Sequence, residues 1–200
     1  MTTSTEAISM TMRADWVPGP PQGCWTYEDY ASIPEDGHRY EVIDGVLYMA
    51  AAPNIAHQTA IANFTFYLVL HVTHAGHGRV FPAPCDVVLP GRATPVQPDI
   101  VVVLNAHLGI ITPGRIIGTP DLVVEILSPG TAGYDRREKQ DAYARAGVPE
   151  YWVADPYACT IEPLRLDGGL YRSLGVFTGA ATLPTLVIAE FPVRVEQFFL

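Results

Sequence analysis

Two almost unbroken β-branched runs, Ile100-Val101-Val102-Val103-Leu104 and Leu122-Val123-Val124-Glu125-Ile126-Leu127, constrain this chain more than any other feature. A strand with one wetted face alternates apolar with polar residues, and neither run alternates, so both need cover on two faces. Inner strands of that kind sit in a sheet with helices packed on each side. The fold class expected is therefore α/β, a central mixed β-sheet flanked by helices.

The rest of the sequence supplies elements to build around that pair. RYEVIDGVLYMA reads as two strands joined at Asp44-Gly45, a dipeptide that accepts the positive φ values of a tight hairpin turn. Thr26, with Asp29 three positions later, is the N-cap of a short helix that ends at Ile33-Pro34-Glu35-Asp36-Gly37. Asn54 caps a long helix over 55–74, in which Ile61, Phe64, Leu68 and Val72 form one stripe before Gly76 stops it; this helix is expected to lie buried against the sheet. Strands are expected at 85–89, 98–104 and 121–127, then a helix at 135–146 closed by Gly147 and Pro149, a strand at 150–154 and shorter strands beyond. Residues 1–23 run into Val17-Pro18-Gly19-Pro20-Pro21-Gln22-Gly23 and read as a flexible N-terminal arm, which leaves 24–200 as a single globular domain.

Charge is scarce: 16% of residues, against about 25% in an ordinary globular chain. Each charge in an apolar setting is therefore informative. The net charge of -9 speaks against a broad basic surface for nucleic acid, although a local groove can coexist with an acidic remainder. Cys24, Cys85 and Cys159 show no CxxC spacing, which disfavours a disulfide framework and a structural zinc site. With no leader pattern and no apolar stretch of roughly 18 residues, a cytoplasmic protein without membrane association is expected.

Glu125 stands inside the second run, on the strand face of Val123 and Leu127. An unpaired carboxylate there would cost several kcal/mol or take up a proton, so it needs a bound cation or a basic partner. An arginine at the strand's end would serve as well. Asp99 follows Pro98 at the head of the first run, where functional sites gather, though a plain turn residue reads the same way. Lys139 shares a helical stripe with Ala142, Tyr143 and Ala146, so it points with the apolar face unless it snorkels to solvent. Glu41 shares a hairpin face with Ile43 and is either half buried or on an exposed edge. His57 lies in line with Ile61, Phe64 and Leu68, as a core or cap histidine also would. His71, His74 and His77 recur every three residues, but at a helix C-terminus, where positive charge suits the dipole. No GxSxG, Walker loop or GxGxxG is present.

Taken together, RYEVIDGVLY, PNIAHQ, VQPDIVVV, PDLVVEILSPGT and DRREKQDAYARAGVPEYWVADP resemble the Uma family of restriction endonucleases, a bacterial branch of the PD-(D/E)XK nuclease superfamily. The resemblance covers about residues 26–196, and EILSP and YARAGVPEYW are its most specific parts. It implies a restriction-endonuclease-like fold and a metal-dependent endonuclease that hydrolyses phosphodiester bonds in DNA. It also implies that Asp99 is the first acid and Glu125 the second. The plain motif has a lysine two residues after the second acid, where this chain has Leu127; the family pattern takes its lysine from the next helix, matching Lys139. Glu41 corresponds to an N-terminal acid that joins the metal site, and His57 to a histidine position of open role. Hard oxygen ligands from Asp99, Glu125 and Glu41 select Mg²⁺ or Mn²⁺. Cutting both strands of a duplex is most simply done by a homodimer. The alternative is a catalytically inactive nuclease-fold module for binding or assembly, which the acidic charge favours.

Overall fold

The structure, a computed structural model, describes residues 11–50, 53–91, 94–128 and 135–200. Strand β1 (Met12–Arg13) is followed by helix α1 (Tyr27–Ala31), the hairpin β2 (Tyr40–Ile43) and β3 (Val46–Met49), and helix α2 (Ile55–Leu68). Strands β4 (Gly78–Pro82), β5 (Val87–Val88), β6 (Ile100–Leu104), β7 (Ile116–Ile117) and β8 (Leu122–Ile126) lead to helix α3 (Asp135–Ala146). After it come β9 (Glu150–Asp155), β10 (Thr160–Asp167), β11 (Leu170–Ser173) and β12 (Phe177–Thr178).

The main sheet runs β11-β10-β9-β8-β6-β4, with β12 also on β10. It is mixed, because β8 and β9 are parallel and joined through α3, whereas the neighbouring pairs are antiparallel. The two β-branched runs lie inside, as their patterning requires. Residues 100–103 and 122–124 have no exposed surface, and alternate side chains enter different cores. Ile100, Val102 and Val124 pack with Phe64 and Leu68 of α2 on one face. Val101, Val103 and Val123 pack with Tyr143 and Ala142 of α3 on the other.

The β2–β3 turn holds Asp44 and Gly45 at φ values of 52° and 76°. Gly45 is required there twice over, since a Cβ would also collide with the carbonyl oxygen of Gly23. Gly23 and Trp25 both donate main-chain hydrogen bonds to Gly45 O, at 2.7 and 2.9 Å. Residues 11–23, read from composition as part of an arm, thus meet the hairpin. Met12 and Arg13 pair with Met49 and Tyr48, and Ala14 is fully buried. The open edge of β3 has backbone groups to satisfy, and composition does not report edge pairing. The part of the arm at 1–10 lies outside the described residues.

Thr26 caps α1 with the reciprocal Asp29 bonds of a capping box, and the side chain of Asn54 caps α2 by accepting from His57 N at 3.0 Å. Beyond Leu68 the helix continues over Val69–His74 with π-type hydrogen bonding. Only its inner stripe is buried: Ile55, Phe66 and Leu70 face outwards and are exposed, so the helix covers the sheet without being enclosed. The strand expected at 85–89 shrinks to β5, which pairs with β7 in a separate two-stranded ribbon. Among the described residues no helix is long and apolar enough to cross a membrane.

Candidate active site

The register of β6 against β8 assembles the acids. Ile100 pairs with Val124 across the antiparallel ladder, so one step further along Asp99 stands across from Glu125 at the same end of the sheet. Hairpin strand β2 brings Glu41 to that end, α2 brings His57 in its first turn, and the crossover helix α3 brings Lys139. All five line one hollow of about 80 Å³, together with Arg39 and Gln97. Such a space holds a few waters, or a cation with part of its hydration.

Lys139 is the centre of the cluster. Its Nζ lies 3.0 Å from Glu41 and donates to Oε1 of Glu125 at 3.1 Å, with its side chain only 14% exposed. Snorkelling to solvent is thereby ruled out. One turn further along α3, Tyr143 donates from its hydroxyl to the same Glu125 oxygen at 2.6 Å. Glu41 also accepts from the main-chain N–H of Gln97 at 2.7 Å. Asp99 uses Oδ2 twice, for Ile126 N at 2.8 Å and for Nε2 of His57 at 3.1 Å. Nδ1 of His57 is buried and finds no partner among the described residues.

Burial and charge set the protonation of these groups. Burial pushes Glu125 up to about 7; Lys139 pulls it back in part, while the charges of Asp99 and Glu41 push it higher. Burial works against the Lys139 ammonium, but the charges of Glu125, Glu41 and Asp99 outweigh it and hold the amine protonated more firmly than an ordinary lysine. Burial likewise opposes ionised Asp99, yet the hydrogen bond and charge of His57, the charge of Lys139 and the Ile126 N–H bring it below the usual carboxylate range. His57 is raised: burial disfavours its cation, and the Asp99 hydrogen bond and charge more than compensate. Tyr143 is held well above its ordinary value by burial and by Glu125, so it remains a donor.

Two participants were not foreseen from the sequence, Tyr143 as a hydrogen-bond donor and Gln97 as a main-chain clamp on Glu41. A usable signal existed for the first, because Tyr143 stands four residues after Lys139 on one stripe. A stronger one lay in the cation count: Lys139 is the only lysine in the chain, every other fixed cation being arginine. Gln97 carries no comparable mark.

In kind, the carboxylates of Asp99 and Glu125 suit a hard divalent cation. Among the described residues, however, no three His, Cys, Asp or Glu side chains stand in a metal-holding arrangement. The ammonium of Lys139 stands between Glu41 and Glu125.

This is an α/β architecture with a central mixed sheet, acids on adjacent inner strands and a lysine from the crossover helix. The chain belongs to the Uma2 family, described as "Putative restriction endonuclease", whose model matches residues 27–196. In fold it is similar to a crystal structure from Anabaena variabilis described as "a putative nuclease belonging to DUF820", with a TM-score of 0.73 and 20% sequence identity. That match covers 87% of this chain and 97% of the other. No curated protein matches the sequence.

Proposed function

We propose that this protein is a metal-dependent endonuclease that hydrolyses phosphodiester bonds in DNA, acting at Asp99, Glu125 and Lys139. The observation that carries this reading is the burial of the chain's only lysine between carboxylates delivered by two different strands. Burying three charges together is hard to justify as a stability device, since an apolar replacement is often no worse, and such groups cluster where chemistry is done. The family supports the same reading, as does the fold it shares with a protein described as a nuclease.

A divalent cation such as Mg²⁺ or Mn²⁺, held by Asp99 and Glu125, would polarise the phosphate and acidify a water. Lys139 stabilises the charge that develops on the phosphoryl oxygens, its ammonium kept protonated by the surrounding acids. Without a cation Glu125 is pushed up to about 7, so at neutral pH it gives up a proton as it takes hold of the metal. Glu41 holds the ammonium from the far side, and Tyr143 fixes Oε1 of Glu125. His57 orients Asp99 through Oδ2. Two copies related by a twofold axis would cut both strands of a duplex, so a homodimer is part of the proposal. The described cysteines are all free, in keeping with a reducing cytoplasm.

A catalytically inactive module for binding or assembly is the competing reading. It draws on the net charge of -9 and on the ion pairing of Glu41 and Glu125 with Lys139. Cleavage of plasmid DNA in Mg²⁺ or Mn²⁺ separates the two, with Asp99→Ala and Lys139→Ala beside the wild type. Metal-dependent cutting by the wild type alone supports the enzyme; equal results in all three proteins remove the proposed site.

A further inference from the structure

An unbroken run of contacts leads away from the acid–lysine cluster. Gln97, whose main-chain N–H clamps Glu41, accepts from Arg39 Nε through its amide oxygen at 3.1 Å and donates from its amide nitrogen to the Tyr30 hydroxyl at 3.0 Å. The ring of Tyr30 lies 5.9 Å from that of Tyr27, and the guanidinium of Arg115 covers Tyr27 at 4.1 Å. Hollows of about 280, 430 and 500 Å³ open along this run and share walls: Tyr30 and Gln97 line the first two, Arg115 the second and third. Each is far larger than the hollow at the acids and is of a size that takes a small organic group such as a nucleotide.

Two cations, Arg39 and Arg115, stand on this run. Among the described residues Arg13, Arg145, Arg172 and Arg194 pair with acids, whereas Arg39 and Arg115, like Arg79, Arg137 and Arg165, form no ion pair; what sets Arg39 and Arg115 apart is their place on this run. Nε of Arg115 is buried and has no hydrogen-bond partner among the described residues. In a chain of net charge -9, two unpaired guanidinium groups beside two tyrosine rings are suited to a ligand with both negative charge and flat rings.

We propose that this run is a track for a single-stranded polynucleotide segment adjoining the bond to be cut, with bases stacked on Tyr27 and Tyr30 and phosphates met by Arg39 and Arg115. It rests on the nuclease reading and departs from it in one point: the strand beside the bond to be cut is unpaired, so each site engages one separated strand and not an intact duplex. Bases inside a duplex are already stacked on one another and offer no face to a tyrosine, whereas unpaired bases do. Three acids line these hollows: Asp86 accepts from Tyr30 and Gln97 through Oδ1, whereas Glu28 and Glu35 are exposed at the outer rims, where solvent screens them from the backbone phosphates.

Binding is measured in EDTA, so that nothing is cut, using a fluorescent oligothymidylate and a blunt duplex, with wild type, Arg115→Ala and Tyr27→Ala. The track requires each variant to lose at least about fivefold in single-strand affinity, with the duplex little changed. Arg115→Ala also lowers the log–log salt slope by about 0.7, the share of one phosphate on a single strand. Should Arg115→Ala fail to fold, Arg115→Lys keeps the charge without the flat guanidinium and is expected to lose affinity while keeping the slope. Hydrolysis of bis(p-nitrophenyl) phosphate in Mn²⁺, too small to reach Tyr27 from the acids, stays at the wild-type rate in Arg115→Ala and Tyr27→Ala. Unchanged single-strand affinity in both variants overturns the track, and an equal loss for the duplex overturns the single-strand assignment. Absence of diester hydrolysis by the wild type counts against the nuclease reading alone, because the binding comparison does not depend on it.

Discussion

Lys139 on α3 donates to Oε1 of Glu125 on β8 at 3.1 Å, and this bond joins the crossover helix to the strand it follows. Removing the amine in Lys139→Met leaves Glu41 and Glu125 facing each other without a counter-ion. Breaking a buried pair on one side costs about 3–5 kcal/mol. Glu125 has an escape, because it already titrates near 7 and can take up a proton. The loss should therefore be larger at pH 8 than at pH 5, as read from urea unfolding at both values. A loss independent of pH would mean that the lysine serves packing and not charge.

The metal-free wild type should itself lose stability as pH rises through neutrality, and two groups act in the same direction. Glu125 has a folded pKa of about 7 against 4.5 for an ordinary Glu, so between those values the folded state holds a proton that the unfolded state has released. Stability falls across that window and levels off above it. His57, whose folded value is raised above 6.5, contributes stability that is fully present below 6.5 and is lost as pH climbs through the higher value. Thermal melts in EDTA from pH 4.5 to 8.5 test this. Glu125→Gln should flatten the acid half of the decline and His57→Gln the upper half; a curve that rises over the whole range contradicts both assignments.

What was legible beforehand divides along a physical line. The burial of β6 and β8 followed from β-branched runs, the caps at Thr26 and Asn54 from side chains acting within a few residues, and the inward face of Lys139 from helical geometry. These are local rules. That Asp99 faces Glu125 depends on the antiparallel register of two strands separated by the β7 loop, and no short-range pattern encodes it. Resemblance to a family supplied that pairing where periodicity was silent. Gln97 escaped notice for the same reason, since its partners Glu41, Arg39, Tyr30 and Asp86 are all remote in sequence except Asp86. Edge pairing of Met12 and Arg13 was hidden because Pro and Gly downstream dominate the composition of that stretch.

The lone lysine permits a chemical test of its surroundings. A protonated, buried amine is a poor nucleophile, so trinitrobenzenesulfonate should leave Lys139 unmodified in the native metal-free protein and label it after unfolding in urea, as peptide mapping would show. If Glu125 turns to a divalent cation, the ammonium loses part of the charge that holds its proton. Addition of Mn²⁺ should then speed labelling of Lys139, and Glu125→Gln should abolish that acceleration.

The most direct measurement concerns the cation and the two acids across the β6–β8 ladder. Glu125→Gln keeps the shape and the hydrogen bond from Tyr143 but removes the charge, and Asp99→Asn does the same beside Ile126 N and His57. Isothermal titration with Mn²⁺ should show binding to the wild type, weakened at least tenfold in each variant, because a hard cation draws most of its affinity from ionised oxygen. Arg145→Gln serves as a control: its partner Asp44 is half exposed and on the hairpin turn, so metal affinity should be unchanged there. Lys139→Met separates catalysis from binding, since removing a competing cation should tighten Mn²⁺ while abolishing DNA cleavage. Weaker Mn²⁺ binding in Lys139→Met would mean that the ammonium props the acids in place, and the role assigned to it in neutralising the phosphate would have to be given up.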